Sequence, residues 1–339
     1  MRKLKMLILT DHSNHTIQNS LYPLAKAMMA HPFCEHVDVA TRGNSSNDSF
    51  FKAQQTYPLF VSRVDDDFSF HEDGKSFRSP VRTALLKNYD VVWFRMPPPL
   101  SDDFLHFLIL KYPNQLFINA PIGIKRTGSK DFLINFPDLC PPMKICRSAA
   151  DITAFASDFP IVLKPFREYG GKGIVRIDGD KVMKGSKETT LSEFLSSLEG
   201  NPIAYIGVKF LEKVSEGDKR IVVVDGQIMG ASLRLPVKDF WICNIAMGGS
   251  HNHAEVDEEE IRIVKRLHPT LARLGVVMYG IDTLMGDDGK RVLSEINTTS
   301  IGGLPQIAKQ RDEPLVEKAA DLIWNYIVTK KTKHVSTNG

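Results

Sequence analysis

Val276-Val-Met-Tyr-Gly-Ile-Asp282-Thr-Leu-Met-Gly-Asp-Asp-Gly-Lys-Arg-Val-Leu-Ser-Glu295-Ile-Asn297 reads as two strands folded back on each other by the turn from Gly286 to Gly289. Period-2 alternation puts Glu295 and Asn297 on one face of the second strand. Asp282 falls on the partner strand within diagonal reach of Glu295. Two carboxylates and an amide oxygen converging on one sheet face make a hard-oxygen set suited to Mg²⁺ or Mn²⁺, with coordination positions left for nucleotide phosphates. The intervening Ile281, Leu293 and Ile296 are apolar, so unpaired charges buried among them would cost several kcal/mol each and a cation partner is expected. The same acids on a solvated edge strand would need no such partner.

Upstream, Ile161-Val-Leu-Lys-Pro-Phe-Arg-Glu-Tyr-Gly-Gly-Lys-Gly-Ile-Val-Arg-Ile177 is a strand, a Gly-rich bend and a second strand. Glycines at 170, 171 and 173 let backbone N–H groups converge on phosphate oxygens, and Lys164 on the entering strand can neutralise phosphate charge. The spacing is neither GxGxxG nor GxxxxGK[ST], so the Rossmann fingerprint and the P-loop are both excluded. By itself the bend is equally compatible with a hairpin turn that binds nothing. Between the two stretches, Gly217-Asp218-Lys219-Arg220 enters a strand, Arg234 ends the next, and Asn244 precedes Gly248-Gly249. Arginines at strand ends can clamp phosphate because the guanidinium is always charged and forks to two oxygens.

Taken together, Lys164-Pro with its Gly-rich loop, Gly217-Asp-Lys-Arg220 followed by Val222-Val-Val-Asp-Gly226, and Gly280-Ile-Asp282 with Ser294-Glu-Ile-Asn297-Thr-Thr-Ser300 resemble, in order and spacing, the ATP-grasp motifs of bacterial glutathione synthetases. The resemblance runs from about residue 90 to 325 and is most specific over 160–300, with Arg95-Met-Pro-Pro-Pro99 and Asn119-Ala-Pro121 as weaker echoes. It implies an α/β (α+β) ATP-grasp fold behind an N-terminal Rossmann-like module, and an ATP- and Mg²⁺-dependent ligase that makes an amide bond through an acyl-phosphate. For a glutathione synthetase the acid is γ-glutamylcysteine and the amine glycine. Carried over residue by residue, Lys130 and Lys164 would bind the ATP phosphates, and the 166–173 loop with Tyr169, Gly170, Gly171, Lys172 and Gly173 would close as a lid. Lys209, Phe210 and Leu211 would hold adenine, with Asp218 near the ribose. Arg220 and Arg234 would face the transferred phosphoryl group, and Asp282, Glu295 and Asn297 would hold the metal. Arg95, Asn244 and the turn bearing Thr298, Thr299, Ser300, Gly302 and Gly303 would meet the substrates, the turn offering its backbone N–H groups to the incoming amino acid.

Two departures bear on the acceptor. Where the family carries an Arg-Gly-Asn run ahead of the paired glycines, this chain has Ile242-Cys243-Asn244, which removes a cation near the peptide substrate; an acid expected before the proline pair is Pro97. A glutamate or other amino-acid ligase with a different acceptor therefore stays open, as does a non-catalytic ATP-binding protein of the synapsin kind. The complete set of metal ligands and phosphate cations argues against the latter.

The remainder sets limits. A chain of 339 residues exceeds the ~250–300 at which single cores stop growing, so two or three modules are expected. The formal charge of +3 gives no footprint of a nucleic-acid binder. Four scattered cysteines, Cys34, Cys140, Cys146 and Cys243, form no CxxC pair and fit a reducing cytosol. No apolar run nears the ~20 residues of a membrane span. Alternating apolar runs and helical segments over the first 120 or so residues predict a parallel α/β layer, interrupted by an irregular polar excursion over 42–73. Expected modules are 1–122 for substrate, 123–207 as the central and lid part of the ATP-grasp fold, 208–330 as its catalytic part, and a disordered basic tail at 331–339. The resemblance also implies a homo-oligomer, dimer or tetramer. His12 and His15 read as loop residues without an acidic partner, His251-Asn-His253 as a polar loop, and Cys243 as a packing residue.

Overall fold

The computed structural model describes residues 2–78, 81–166, 171–235 and 250–336. Three sheets follow one another along the chain. The first contains β1 (Leu4–Thr10), β2 (Cys34–Thr41), β3 (Leu59–Arg63), β4 (Val81–Ala84), β5 (Val91–Arg95) and β6 (Leu116–Ile118), in the order β4-β3-β2-β1-β5-β6. β2, β1, β5 and β6 are parallel, as the alternation predicts. Alternate residues of β1 serve opposite faces: Met6 and Ile8 pack with α1 (Leu21–Ala30), while Leu7 and Leu9 pack with Phe50 and Phe51 of α2 (Asp48–Phe51) and Phe104 of α3 (Asp102–Lys111). The 42–73 excursion is less irregular than expected. β3 lies within it, paired antiparallel to β2, and its five residues bury Leu59 and Val61, too short a run to show a period.

The second sheet joins β7 (Met143–Cys146), β8 (Ile161–Pro165), β9 (Val175–Asp178), β10 (Lys181–Lys184), β11 (Lys187–Thr190) and β12 (Tyr205–Lys209) in the order β11-β10-β9-β8-β12-β7, antiparallel throughout. Ile161 pairs with Ile177 as expected. Its own core includes Phe155 of α5 (Ala149–Ala156) and Phe194 of α6 (Leu191–Ser197). Two expected module boundaries move. The one at 207/208 falls inside β12, which belongs to this sheet through Lys209. The one at 122/123 falls inside α4 (Pro121–Thr127), because Gly123 is a packing residue rather than loop punctuation. A Cβ at Gly123 would stand 2.4 Å from the Leu274 carbonyl oxygen.

The third sheet is antiparallel, β15-β14-β13-β16-β17, from β13 (Asp218–Val224), β14 (Gln227–Leu235), β15 (Ser250–Ala254), β16 (Met278–Met285) and β17 (Arg291–Asn297). Asp225 and Gly226 both take positive φ, +46° and +76°, the turn a right-twisted hairpin prefers. The His251 to His253 segment lies in β15 rather than in a loop, since Ser232 and Leu233 of β14 supply it with a pairing edge. One face of the sheet is covered by α7 (Glu258–Arg273), capped by Asp257 and Glu260. On the other, Val222, Val224 and Met278 meet α8 (Leu304–Arg311) and α9 (Leu315–Ser336) in the same core as β1 and α1.

α9 thus returns the chain to its beginning. Trp324 donates to the Met28 carbonyl at 3.1 Å and stacks on His31. The tail expected to be disordered from 331 continues this helix through Ser336; its lysines complement the negative end of the helix dipole, and Lys331 is half-buried near Asp90. No helix among the described residues is long and apolar enough to cross a membrane.

Two stability tests follow from this packing. Gly123→Ala, forced against backbone, is expected to lose about 1–3 kcal/mol in chemical denaturation, the usual cost of overpacking. His15 lies between Tyr22 and Phe77 with its Nε2 buried and unbonded, and burial, aided by His12 and Arg95, pulls its pKa down to about 4. The folded protein then resists a proton that the unfolded chain accepts, so stability present at neutral pH drains away as pH falls from about 6.5 towards 4. His15→Gln should lose less melting temperature than the wild type between about pH 7 and about pH 5, the upper part of that window; equal losses would contradict it.

Candidate functional site

The second and third sheets face each other across a cleft. One end is apolar, lined by Met143, Val162, Ile174, Val208, Leu284 and Leu293. Lys209, Phe210 and Leu211 also line the cleft. Lys209 pairs with Asp287 at 2.7 Å, and the Arg176 guanidinium lies 3.8 Å over the Phe210 ring.

The other end is charged, and strand alternation builds it. On β13, Asp218 and Arg220 point into the cleft while Lys219 points to the opposite face and bonds Glu260 of α7 at 2.7 Å. Asp282 on β16 faces Glu295 on β17 directly, not diagonally, and Gly280 faces Asn297. The register then shifts, leaving Ser294 as the extra residue of a bulge. The bulge turns Ser294 into the cleft, where its hydroxyl is 3.3 Å from Lys164 Nζ. Periodicity alone did not reveal Ser294, because a bulge leaves no mark in the hydrophobic pattern.

Asp282, only 3% exposed, is the centre of the network. Its Oδ2 accepts from Arg220 Nη2 at 2.7 Å, Arg234 Nη2 at 2.8 Å and Asn297 Nδ2 at 3.2 Å, and its Oδ1 accepts from Arg220 Nε. The cation partner expected for the buried acid is thus present in the protein as two arginines. Arg234 also donates to Asp218 Oδ2 at 2.7 Å, so Asp218 is engaged at this charged end. Desolvation and the neighbouring Asp282 push the Asp218 carboxyl up to about 6. For Asp282, burial opposes ionisation, but the Arg220 and Arg234 guanidiniums win and hold its pKa well below the usual carboxylate range.

Lys164 reaches the cleft from β8, where desolvation lowers its pKa against the attraction of Glu295. Lys130 lies just after α4 and stands 4.0 Å from Glu295, in an adjoining cavity that shares Glu295, Asn297 and Thr299 with the cleft. Gly171 lines the cleft, whereas Lys172 and Gly173 are exposed outside its lining. Thr299 and Ser300 line it too, and Gly302 and Gly303 lead into α8 with open space around them. Thr298 turns away, its hydroxyl 2.8 Å from that of Thr127. Arg95 is buried beneath the turn rather than lining the cleft. Tyr169, Gly170, Ile242, Cys243, Asn244 and the Gly248-Gly249 pair lie outside the described residues.

For a divalent cation the donor chemistry fits. Asp282 and Glu295 are opposed carboxylates, and the Asn297 amide nitrogen is spent on Asp282, which leaves its oxygen as a donor.

Residues 129–312 match the family described as prokaryotic glutathione synthetase, ATP-grasp domain. The chain is 31% identical over 258 residues to a glutathione synthetase of Bradyrhizobium diazoefficiens, covering 75% of this chain and 77% of that one. Among solved structures it resembles the D-cycloserine synthetase DcsG, with TM-score 0.64 and 15% identity over 95% of this chain and 99% of that one. It also resembles the ATP-grasp ligase PsnB complexed with minimal precursor, Mg and ADP, with TM-score 0.55 and 12% identity over 95% of this chain and 98% of that one.

The face assignment of Lys219 is open to a stability test. Lys219→Met leaves the fully buried Glu260 without its cation, and is expected to cost about 3–5 kcal/mol in urea unfolding, as removal of one member of a buried pair does. A loss no larger than that of a surface substitution would contradict the assignment.

Proposed function

Because the chain belongs to the prokaryotic glutathione synthetase family, with its ATP-grasp domain, we propose that it joins γ-glutamylcysteine to glycine. It is an ATP- and Mg²⁺-dependent ligase that forms a carbon–nitrogen bond. The observation that carries the reading of the site is that one cleft is lined both by a set of apolar side chains and by a dense charge network, as an adenine base and its phosphates require.

A carboxylate does not condense with an amine in water because its oxygen leaves poorly. Transfer of the γ-phosphoryl group of ATP to the carboxylate makes phosphate the leaving group, and the amine then displaces it. Such transfer needs positioning and charge neutralisation rather than a nucleophilic side chain. Lys130 and Lys164 bind phosphate oxygens in this proposal, and the loss of hydration that lowers the Lys164 pKa is relieved when an anion arrives. Arg220 and Arg234, held by Asp282, present guanidinium edges to the transferred group. Asp282, Glu295 and Asn297 would hold Mg²⁺, which would supply positive charge to the phosphates. The loop around Gly171 excludes water from the acyl-phosphate, and the 298–303 turn receives the amine. Asp218 is proposed to steady Arg234, a nearer role than ribose contact given its bonds.

Ile242, where the family has arginine, favours a second reading in which the same machinery serves a different acceptor acid. A homo-oligomer, dimer or tetramer, and a cytoplasmic location complete the proposal; a monomer by light scattering would remove the former.

Phosphate release should require ATP, Mg²⁺, γ-glutamylcysteine and glycine together and yield glutathione by mass. Silence with that pair but turnover with another acid would select the second reading. Lys164→Ala is expected to lower turnover at least about 10²-fold, as loss of a preorganised charge does, without loss of stability. Asp282→Asn should lose turnover and stability together, because it leaves two partly buried arginines without the carboxylate they share. Activity retained in both variants would remove these assignments.

A further inference from the structure

The turn that follows Asn297 is fixed by side chains from outside the third sheet. Asn119, just past β6, donates to the Met278 carbonyl at 2.6 Å and the Thr298 carbonyl at 2.7 Å, and accepts from the Val277 and Met278 N–H groups at 2.7 and 3.0 Å. All four of its hydrogen-bonding positions are filled. Thr127 takes the Thr298 hydroxyl. At the other end of the turn, Arg95 Nη2 donates to the Ile301 carbonyl at 2.8 Å and to Ser20 Oγ at 2.8 Å, and Ser20 Oγ donates to the same carbonyl at 2.8 Å.

Arg95 is an unusual residue to find there. It is 2% exposed, its Nε makes no hydrogen bond, and among the described residues no carboxylate pairs with it. A guanidinium so placed is retained against a large desolvation cost, and the strongest contacts it makes are to the carbonyl of Ile301 and the hydroxyl that shares it. The residue just before that carbonyl, Ser300, holds φ at +43°, a left-handed conformation that a side chain disfavours and that persists only where its surroundings enforce it.

The geometry points to Arg95 as a positioning residue that, with Ser20, clamps the 298–303 turn in the shape that receives the amine substrate, without itself touching substrate. This rests on the functional reading of that turn given above. It places the N-terminal sheet in the reaction as the support of the catalytic turn. Lysine can substitute only in part: its ammonium has donors enough for both bonds, which come from Nη2 alone, but it lacks the rigid plane that aims that nitrogen at the hydroxyl and the carbonyl.

The test compares wild type, Arg95→Met, Arg95→Lys and Ser20→Ala by hydrogen–deuterium exchange and by steady-state kinetics with ATP, γ-glutamylcysteine and glycine. In Arg95→Met, amides of 298–303 should exchange about tenfold faster or more while those of β17 stay protected, the expected result of losing charge-assisted bonds to one carbonyl. The KM for glycine should rise about tenfold with the KM for ATP within about twofold, a split that general loss of structure would not give. Arg95→Lys should recover part of both effects, and Ser20→Ala should show both more weakly. Unchanged exchange over the turn overturns the clamp, and a glycine KM that does not move, or moves in step with that for ATP, overturns its role in positioning. If the wild type joins no such pair, the functional reading fails, and the exchange comparison still upholds or overturns the clamp.

Discussion

Asp282 lies between Arg220 and Arg234, and the charged end of the cleft is organised around that contact. A carboxylate this deeply buried would be protonated, or would destabilise the fold by several kcal/mol, without a close cation. Two guanidiniums keep it ionised, and the second is in turn shared with Asp218. Two positive and two negative groups therefore neutralise one another inside the cleft. Asp218 carries the strain of this arrangement as a raised pKa near 6, because it is the more weakly served of the two acids. Glu295, Lys130 and Lys164 stand around this core, Lys130 4.0 Å from Glu295 and Lys164 bonded to Ser294.

The three sheets serve that arrangement in different ways. The third supplies it, through alternation on β13 and β16 and through the bulge that turns Ser294 inward. The second closes over it with an apolar slot and Lys164. The first never reaches the cleft with its strands, yet α9 packs on α1, and Ser20, Arg95 and Asn119 grip the turn that leaves β17. The shape of that turn rests on contacts made from more than 150 residues away along the chain.

Much of this was legible because the motifs obey local rules. The β8–β9 pair and the convergence of Asp282, Glu295 and Asn297 both follow from period and turn chemistry. The resemblance to the ATP-grasp family lay in the order of motifs rather than in any one of them. What escaped was non-local. Gly123 reads as a linker, and only the Leu274 carbonyl beside it explains the glycine. Arg95 reads as a substrate contact by resemblance, and only its bonds to Ser20 and Ile301 place it beneath the turn. The tail beyond 330 reads as solvated, because the helix that continues into it is fixed by α1 at the far end of the sequence.

The claim that unifies the site is that its charges stabilise phosphoryl transfer to a carboxylate. Turnover with γ-glutamylcysteine whose reacting carboxylate carries oxygen-18, followed by mass analysis of the released phosphate, tests it directly. An acyl-phosphate route delivers one labelled oxygen from the acid to each phosphate. Phosphate free of label, with amide still formed, would contradict the account.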